Sequence, residues 1–261
     1  MIATSLSRLG RANSTASISD LLAFCPHLRQ PLTPEEAARA VYIDFEGNQK
    51  LPPTLLGVLV AEDGCPASFR QFVFEETFQP AVLAREKDTY RDAAQEIGCT
   101  RDNWTYCAAA AALADQCEQE DRWLVAWSSR EFVAFAEVLG ADNPLLARVG
   151  ARYRDAKRTA ARWKMRRHPG TKFKLTPGRG RHRLANYTDL VGYAVPPHLG
   201  DQTAGKRLAD VRAQLDKKRD FSALTATAKR KWTNLLHYNF HDCNGMRAVA
   251  VTASAGLLAT P

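Results

Sequence analysis

The stretch VYIDFEG, residues 41–47, decides how the rest of the chain is read. Its β-branched and aromatic residues run up to a glycine, the composition of a buried strand. Two carboxylates interrupt it. Asp44 and Glu46 are two positions apart, so on a strand both side chains leave the same face. Two acids side by side in a core repel each other and lose hydration, and a divalent cation between them reverses that electrostatics. The competing explanation is an edge face on which both acids look at water.

Working outward, TLLGVLVAEDG and SFRQFVFEE follow as two further strands, so the three form a meander. Upstream, PLTPEEAARA opens with helix-start chemistry and DLLAFCPHL reads as a short helix. Residues 1–39 are therefore expected to be a lead with short helices, flexible at its start. MIATSLSRLGRANSTASISD has no apolar core followed by a cleavage site, and so does not read as a secretory signal. Downstream, the pattern from Asp88 to about Glu118 reads as helical, through TYRDAAQEIG and the alanine-rich TYCAAAAALADQCEQE. RWLVAW reads as a fourth strand. SSREFVAFAEVLG reads as a helix capped by Ser128 or Ser129 and ended by its glycine. PLLARVGARYRDAKRTAARWKMRRH reads as one helix, PGTKFKLTPGRGRHR as a loop or ragged hairpin, and GKRLADVRAQLDKK and TATAKRKWTNLLHYN as two helices before the final NGMRAVAVTASAGLL. The expected fold class is α/β: a mixed sheet, with a three-strand antiparallel meander plus further parallel strands, flanked by helices. Residues 40–261 are expected to form one domain, with a basic helical insertion at about 145–185.

Composition narrows the function classes. The chain has 261 residues, 45% of them hydrophobic, and no apolar run long enough for a transmembrane helix. A soluble protein without membrane partners is expected. Six cysteines without a CxxC pair argue against structural zinc and a disulfide framework, and fit a reducing, cytoplasmic compartment. The net charge of +8 is unevenly spread: between Arg148 and Arg183 there are 14 Lys and Arg against one acid, Asp155. On the helix read there, Arg148, Arg152 and Arg162 lie near one stripe with Tyr153 and Trp163 interleaved. Such a mixture of cations and aromatics suits nucleic acid, whose phosphates need no sequence-specific contact and whose bases can stack. Arg148, Arg152, Arg162, Trp163, Lys164, Arg166, Arg167, Lys172 and Lys174 are the candidate contacts. The competing explanation is a solvated helix face with Trp163 in the core.

Two other segments carry acids of interest. Glu131 follows the fourth strand in the first turn of a helix, where the helix dipole alone would account for a carboxylate. In HYNFHDCNGM, residues 237–246, a helical conformation places Tyr238 and Asp242 on one face and His237 and His241 on the next. The metalloprotease zinc motif needs a Glu directly after its first His, and Tyr238 stands there instead, which argues against zinc.

With DFE, WSSRE and HYNFHD in this order, the chain resembles the RNase H-like superfamily, specifically the DEDD-type 3′-5′ exonucleases and a nuclease branch associated with RecB-type proteins (YprB-like). The resemblance spans about residues 40–255 and implies an RNase H-like fold. It implies Asp44, Glu46 and Asp242 as metal ligands, with Glu131 as the second-station acid and Asp189 in reserve, because the family has Asp at that station. Tyr238 meets the family's Y-x-x-x-D spacing to Asp242 and His237 its H-x-x-x-x-D spacing. One of the two would orient or deprotonate the attacking water, and the i, i+4 relation favours Tyr238. The implied cofactor is a pair of Mg²⁺ or Mn²⁺ ions, the implied activity hydrolysis of DNA or RNA phosphodiesters, and the alternative a non-catalytic nucleic-acid-binding module with a degenerate metal site.

Overall fold

The computed structural model describes residues 17–47, 51–92, 95–175, 180–199 and 204–259. The first sixteen residues of the expected lead, and residues 176–179 of the expected loop, lie outside them. Seven strands form one mixed sheet among the described residues: β1 (Val41–Glu46), β2 (Leu55–Glu62), β3 (Cys65–Val73), β4 (Lys87–Asp92), β5 (Gln95–Asn103), β6 (Leu124–Ala126) and β7 (Tyr153–Asp155). Their order is β4-β5-β3-β2-β1-β6-β7. β1, β2 and β3 are the expected antiparallel meander, and β6 and β7 extend it in parallel from β1. Around the sheet lie α1 (Ile18–Leu22), α2 (Pro34–Ala38), α3 (Gln79–Leu83), α4 (Tyr106–Gln119), α5 (Arg130–Leu139), α6 (Pro144–Ala151), α7 (Ala156–Arg167), α8 (Leu184–Val191), α9 (Ala204–Lys218) and α10 (Ala226–Leu258). The expected α/β class, a mixed sheet flanked by helices, is the class observed.

Strand alternation divides the core. Val41 and Ile43 face one layer, with Leu113 of α4, Phe135 of α5 and Leu146 of α6. Tyr42 faces the other, with Phe240, Cys243 and Met246 of α10. Period two therefore turns Asp44 and Glu46 toward α10. No helix among the described residues is long and apolar enough to cross a membrane.

Three expectations about elements need correction. The segment from Asp88 is not helical until Tyr106. Lys87–Asp92 and Gln95–Asn103 form the antiparallel pair β4 and β5, which adds to the sheet through parallel pairing of β5 with β3. Ile97, Cys99 and Arg101 point inward at period two while their neighbours are exposed, a strand pattern disguised by a buried arginine. Residues 144–168 are not one helix either. α6 ends at Ala151, β7 pairs with β6, and α7 begins at Ala156. All three residues of β7 are buried. Arg154 among them donates to the His27 carbonyl at 3.2 Å and Gln30 at 3.0 Å, pairs with Glu36 at 2.7 Å, and lies 3.9 Å from the Trp123 ring centre. Lastly, the final segment does not stand apart. It continues the preceding helix as the 33-residue α10, about 50 Å long at 1.5 Å per residue.

Candidate metal centre

β1 and α10 build the site between them. Asp44 and Glu46 leave the α10 face of β1, and Asp242 comes from α10 across from them. The three offer carboxylate oxygens that all lie within 4.8 Å of one another. That is close enough for a cation pair about 3.5–4 Å apart to be shared. Burial pushes the Asp44 carboxyl well above the usual range, helped by the charges of Glu46, Asp242 and Glu131, with the Asn239 hydrogen bond opposing. Burial raises Glu46 in the same way, Asp242 adds to it, and the Arg207 guanidinium opposes it. Glu46 Oε1 is buried and without a hydrogen-bond partner among the described residues. A donor set of carboxylate oxygens alone, one of them unsatisfied, fits a hard divalent cation such as Mg²⁺ or Mn²⁺.

The fourth acid behaves differently. Glu131 sits in the first turn of α5, where its Oε2 accepts from the Ser128 backbone N at 3.2 Å and the Ser128 hydroxyl at 3.3 Å. Asp44 feels its charge, but Glu131 is not one of the three clustered carboxylates. Its bonds to Ser128 tie it to the β6–α5 turn. Asp189 is exposed on α8 and also lies outside the cluster.

Tyr238 and His237 point to different surroundings. Tyr238 lines the same cleft as Asp242. His237 lies edge-on to Tyr90 with ring centres 4.8 Å apart, and its charged neighbours are Asp88, Arg85, His198 and Arg101; burial lowers its pKa. His241 bonds through Nδ1 to the Tyr193 hydroxyl at 2.8 Å, and burial holds its pKa down at about 4. The two histidines of HxxxH thus have different direct partners, Tyr90 for His237 and Tyr193 for His241.

The cleft has a volume of about 440 Å³ and is lined by Trp127, Lys157, His182, Arg183, Pro196 and Thr188 as well as Tyr238 and Asp242. Sequence reasoning did not nominate Trp127, Lys157 or Arg183. Trp127 directly follows β6, a strand-to-helix junction that could have marked it. Lys157 was hidden by reading α6, β7 and α7 as one helix.

The nominated basic residues scatter. Arg148 pairs with Asp115 at 2.7 Å and Glu118 at 2.5 Å, and Arg152 pairs with Asp121 at 2.6 Å. Neither shares a stripe with Arg162, because β7 intervenes. Trp163 is only 5% exposed and belongs to the core; a Cβ on Gly256 of α10 would meet its Nε1 at 2.4 Å. Arg167 donates to the Gly256 carbonyl at 2.8 Å and to that of Ala259. Lys164 lies 5.6 Å from the Phe173 ring centre. Arg162, Arg166, Lys172 and Lys174 are exposed. The chain matches no protein-family model and no curated protein sequence.

Proposed function

We propose that the chain is a divalent-cation-dependent nuclease that hydrolyses phosphodiester bonds of DNA or RNA, working from a strand end, as the resemblance to DEDD-type exonucleases implies. The observation that carries this reading is the convergence of Asp44, Glu46 and Asp242 at the margin of a cleft that also holds cations and an aromatic ring. These three carboxylates would hold Mg²⁺ or Mn²⁺. The bound ions would supply a polarised water and positive charge opposite the departing oxygen.

The chain's own residues do the rest. Tyr238, on the cleft side of α10, orients the attacking water by hydrogen bonding. Lys157 and Arg183 attract the phosphates flanking the scissile bond, and Trp127 offers a ring against which a base can stack. At about 440 Å³ the cleft is in the range of small-ligand sites, ~300–1,000 Å³, which suits one nucleotide better than a continuous duplex.

A second reading, a nucleic-acid-binding module without catalysis, is favoured by one observation: Glu131 is held by Ser128, which leaves three clustered acids in place of four. One assay separates the readings. Wild type and Asp44→Asn are incubated with end-labelled DNA and RNA, with Mn²⁺ or with EDTA. Cleavage confined to wild type with Mn²⁺ supports the nuclease. Cleavage that survives the substitution or the chelator sinks the assigned mechanism, and binding without cleavage under every condition favours the module.

A further inference from the structure

The face of the sheet that carries Asp44 also carries a continuous polar row. Strand register pairs Asp44 with Gly57 on β2, Gly57 with Gln71 on β3, and Gln71 with Arg101 on β5. Four neighbouring strands therefore present, in line, a carboxylate, a bare backbone, an amide and a guanidinium. The bare position is filled from above by Asn239 of α10, so closely that a Cβ at residue 57 would meet Asn239 Oδ1 at 2.2 Å. No side chain at 57 would leave room for it.

Hydrogen bonds join the row end to end. Arg101 Nε and Nη2 donate to Gln71 Oε1 at 3.1 and 2.7 Å. Gln71 Nε2 donates to Asn239 Oδ1 at 3.1 Å and to the Leu236 carbonyl at 3.0 Å. Asn239 Nδ2 donates to Asp44 Oδ2 at 3.2 Å and to the Asp44 carbonyl at 3.1 Å. Gln71, Arg101 and Asn239 have no exposed surface.

The direction of this chain follows from groups that can act in only one way: arginine only donates, and the Leu236 and Asp44 carbonyls only accept. Gln71 must turn its oxygen to Arg101, which leaves its NH₂ for Asn239. Asn239 must then turn its oxygen to Gln71 and its NH₂ to Asp44. The orientation of both amides is therefore fixed along the whole row, by Arg101 at one end and by the Leu236 and Asp44 carbonyls at the other, over three strands, about 14 Å at the usual strand spacing.

We propose that Arg101, Gln71 and Asn239 are a positioning relay for Asp44, which commits one of its carboxylate oxygens to a fixed donor and leaves the other for the divalent cation. The inference rests on the metal reading above. It makes Gly57 the residue that permits the relay and makes Asn239, inside HYNFHD, a positioning residue in its own right.

Gln71→Glu tests it at a distance from the carboxylates. The new carboxylate still accepts from Arg101, but it presents only an acceptor to Asn239 Oδ1 and the Leu236 carbonyl, which displaces the Asn239 amide from its donation to Asp44, by repulsion or by rotation. A merely structural row would gain an ion pair with Arg101 and leave cation binding as it was. The relay predicts that Mn²⁺ affinity, measured by calorimetry on protein shown to be folded by circular dichroism, drops about 10- to 100-fold, the usual cost of losing a partner of a metal ligand. Asn239→Leu, which removes the last donor directly, is expected to lose as much and carries the test if Gln71→Glu does not fold. Unchanged Mn²⁺ affinity in either folded variant overturns the relay alone. Absence of Mn²⁺ uptake by the wild type overturns the metal reading and the relay together.

Discussion

Two buried polar clusters occupy one face of the same sheet, with only Gly57 between their rows. Around β3, β4 and β5, the fully buried Arg101 donates from all three of its nitrogens, to Gln71, Tyr90 and the Arg85 carbonyl, and lies 3.8 Å from Asp88. Asp88 in turn pairs with Arg85 at 2.5 Å. Around β1, three carboxylates crowd within 4.8 Å, and one Glu46 oxygen has no partner among the described residues. Both clusters carry the desolvation penalty of burial. The first is compensated from within the chain, as buried charge normally is. The second is a like-charged trio opposed by the Arg207 guanidinium and the Asn239 hydrogen bond, and a bound cation would complete its compensation.

The sharpest way to break the contrast is to remove the compensation from the first cluster. Arg101→Met is expected to destabilise the protein by about 2–4 kcal/mol, because the Arg85 carbonyl loses its donor and Gln71 Oε1 loses two, while Asp88 keeps Arg85. Urea unfolding at neutral pH measures this directly, and a loss much below that range would mean the cluster is held together by packing alone.

The same contrast explains what could be read from the chain. The meander was legible because VYIDFE and LLGVLV supply inward residues at every expected position. β4 and β5 were not, because the balanced cluster puts Arg101 at an inward position where alternation calls for an apolar residue, and the alanines beside it favour helix. β7 was hidden for the same reason, since Arg154 and Asp155 are two of its three buried residues. At the site, Asp44 and Glu46 were legible as a pair from their spacing on a strand, and Asp242 joined them only through the family resemblance. The choice between Tyr238 and His237 was not legible, because neighbours on a helix point about 100° apart and only packing tells which direction is the cleft. Gly57 and Asn239 were illegible for a further reason: their meeting depends on strand register and a helix contributed from the far end of the chain.

A smaller effect of opposite sign is expected at the second cluster. Asp44→Asn removes one of three crowded charges, keeps a group that can hydrogen bond to Asn239, and should stabilise the metal-free protein by about 0.5–2 kcal/mol, the range common for stabilising substitutions. The pH dependence has a matching sign. Asp44 and Glu46 have folded-state pKa values raised above their unfolded ones, so between those values the native state binds more protons than the unfolded state. Metal-free stability should therefore fall as pH rises from about 4, near the unfolded carboxylate pKa, through the raised native values. Thermal melts of wild type and Asp44→Asn in EDTA across this window test both statements. A wild type that gains stability steadily over the same range, with no benefit from the substitution, would show that the acids are not in conflict.

The smallest effect sharpens the comparison from the balanced side. Tyr90 donates its hydroxyl to Gln71 Oε1 and accepts from Arg101 Nη2, each at 3.2 Å. Its ring stacks on Phe240 and meets Phe69 edge-on, contacts that a phenylalanine keeps. After Tyr90→Phe, Gln71 Oε1 still accepts two hydrogen bonds from Arg101, so no polar atom of that pair loses its last partner. The cost should be that of one ordinary hydrogen bond, about 0.5–1.5 kcal/mol in urea unfolding. Mn²⁺ affinity should not change, because Arg101 and the Leu236 carbonyl hold the orientation of Gln71 without the tyrosine. A loss of Mn²⁺ binding in Tyr90→Phe would mean that the hydroxyl takes part in setting the amide direction. The balanced cluster would then reach the carboxylates by more than the path through Arg101, Gln71 and Asn239.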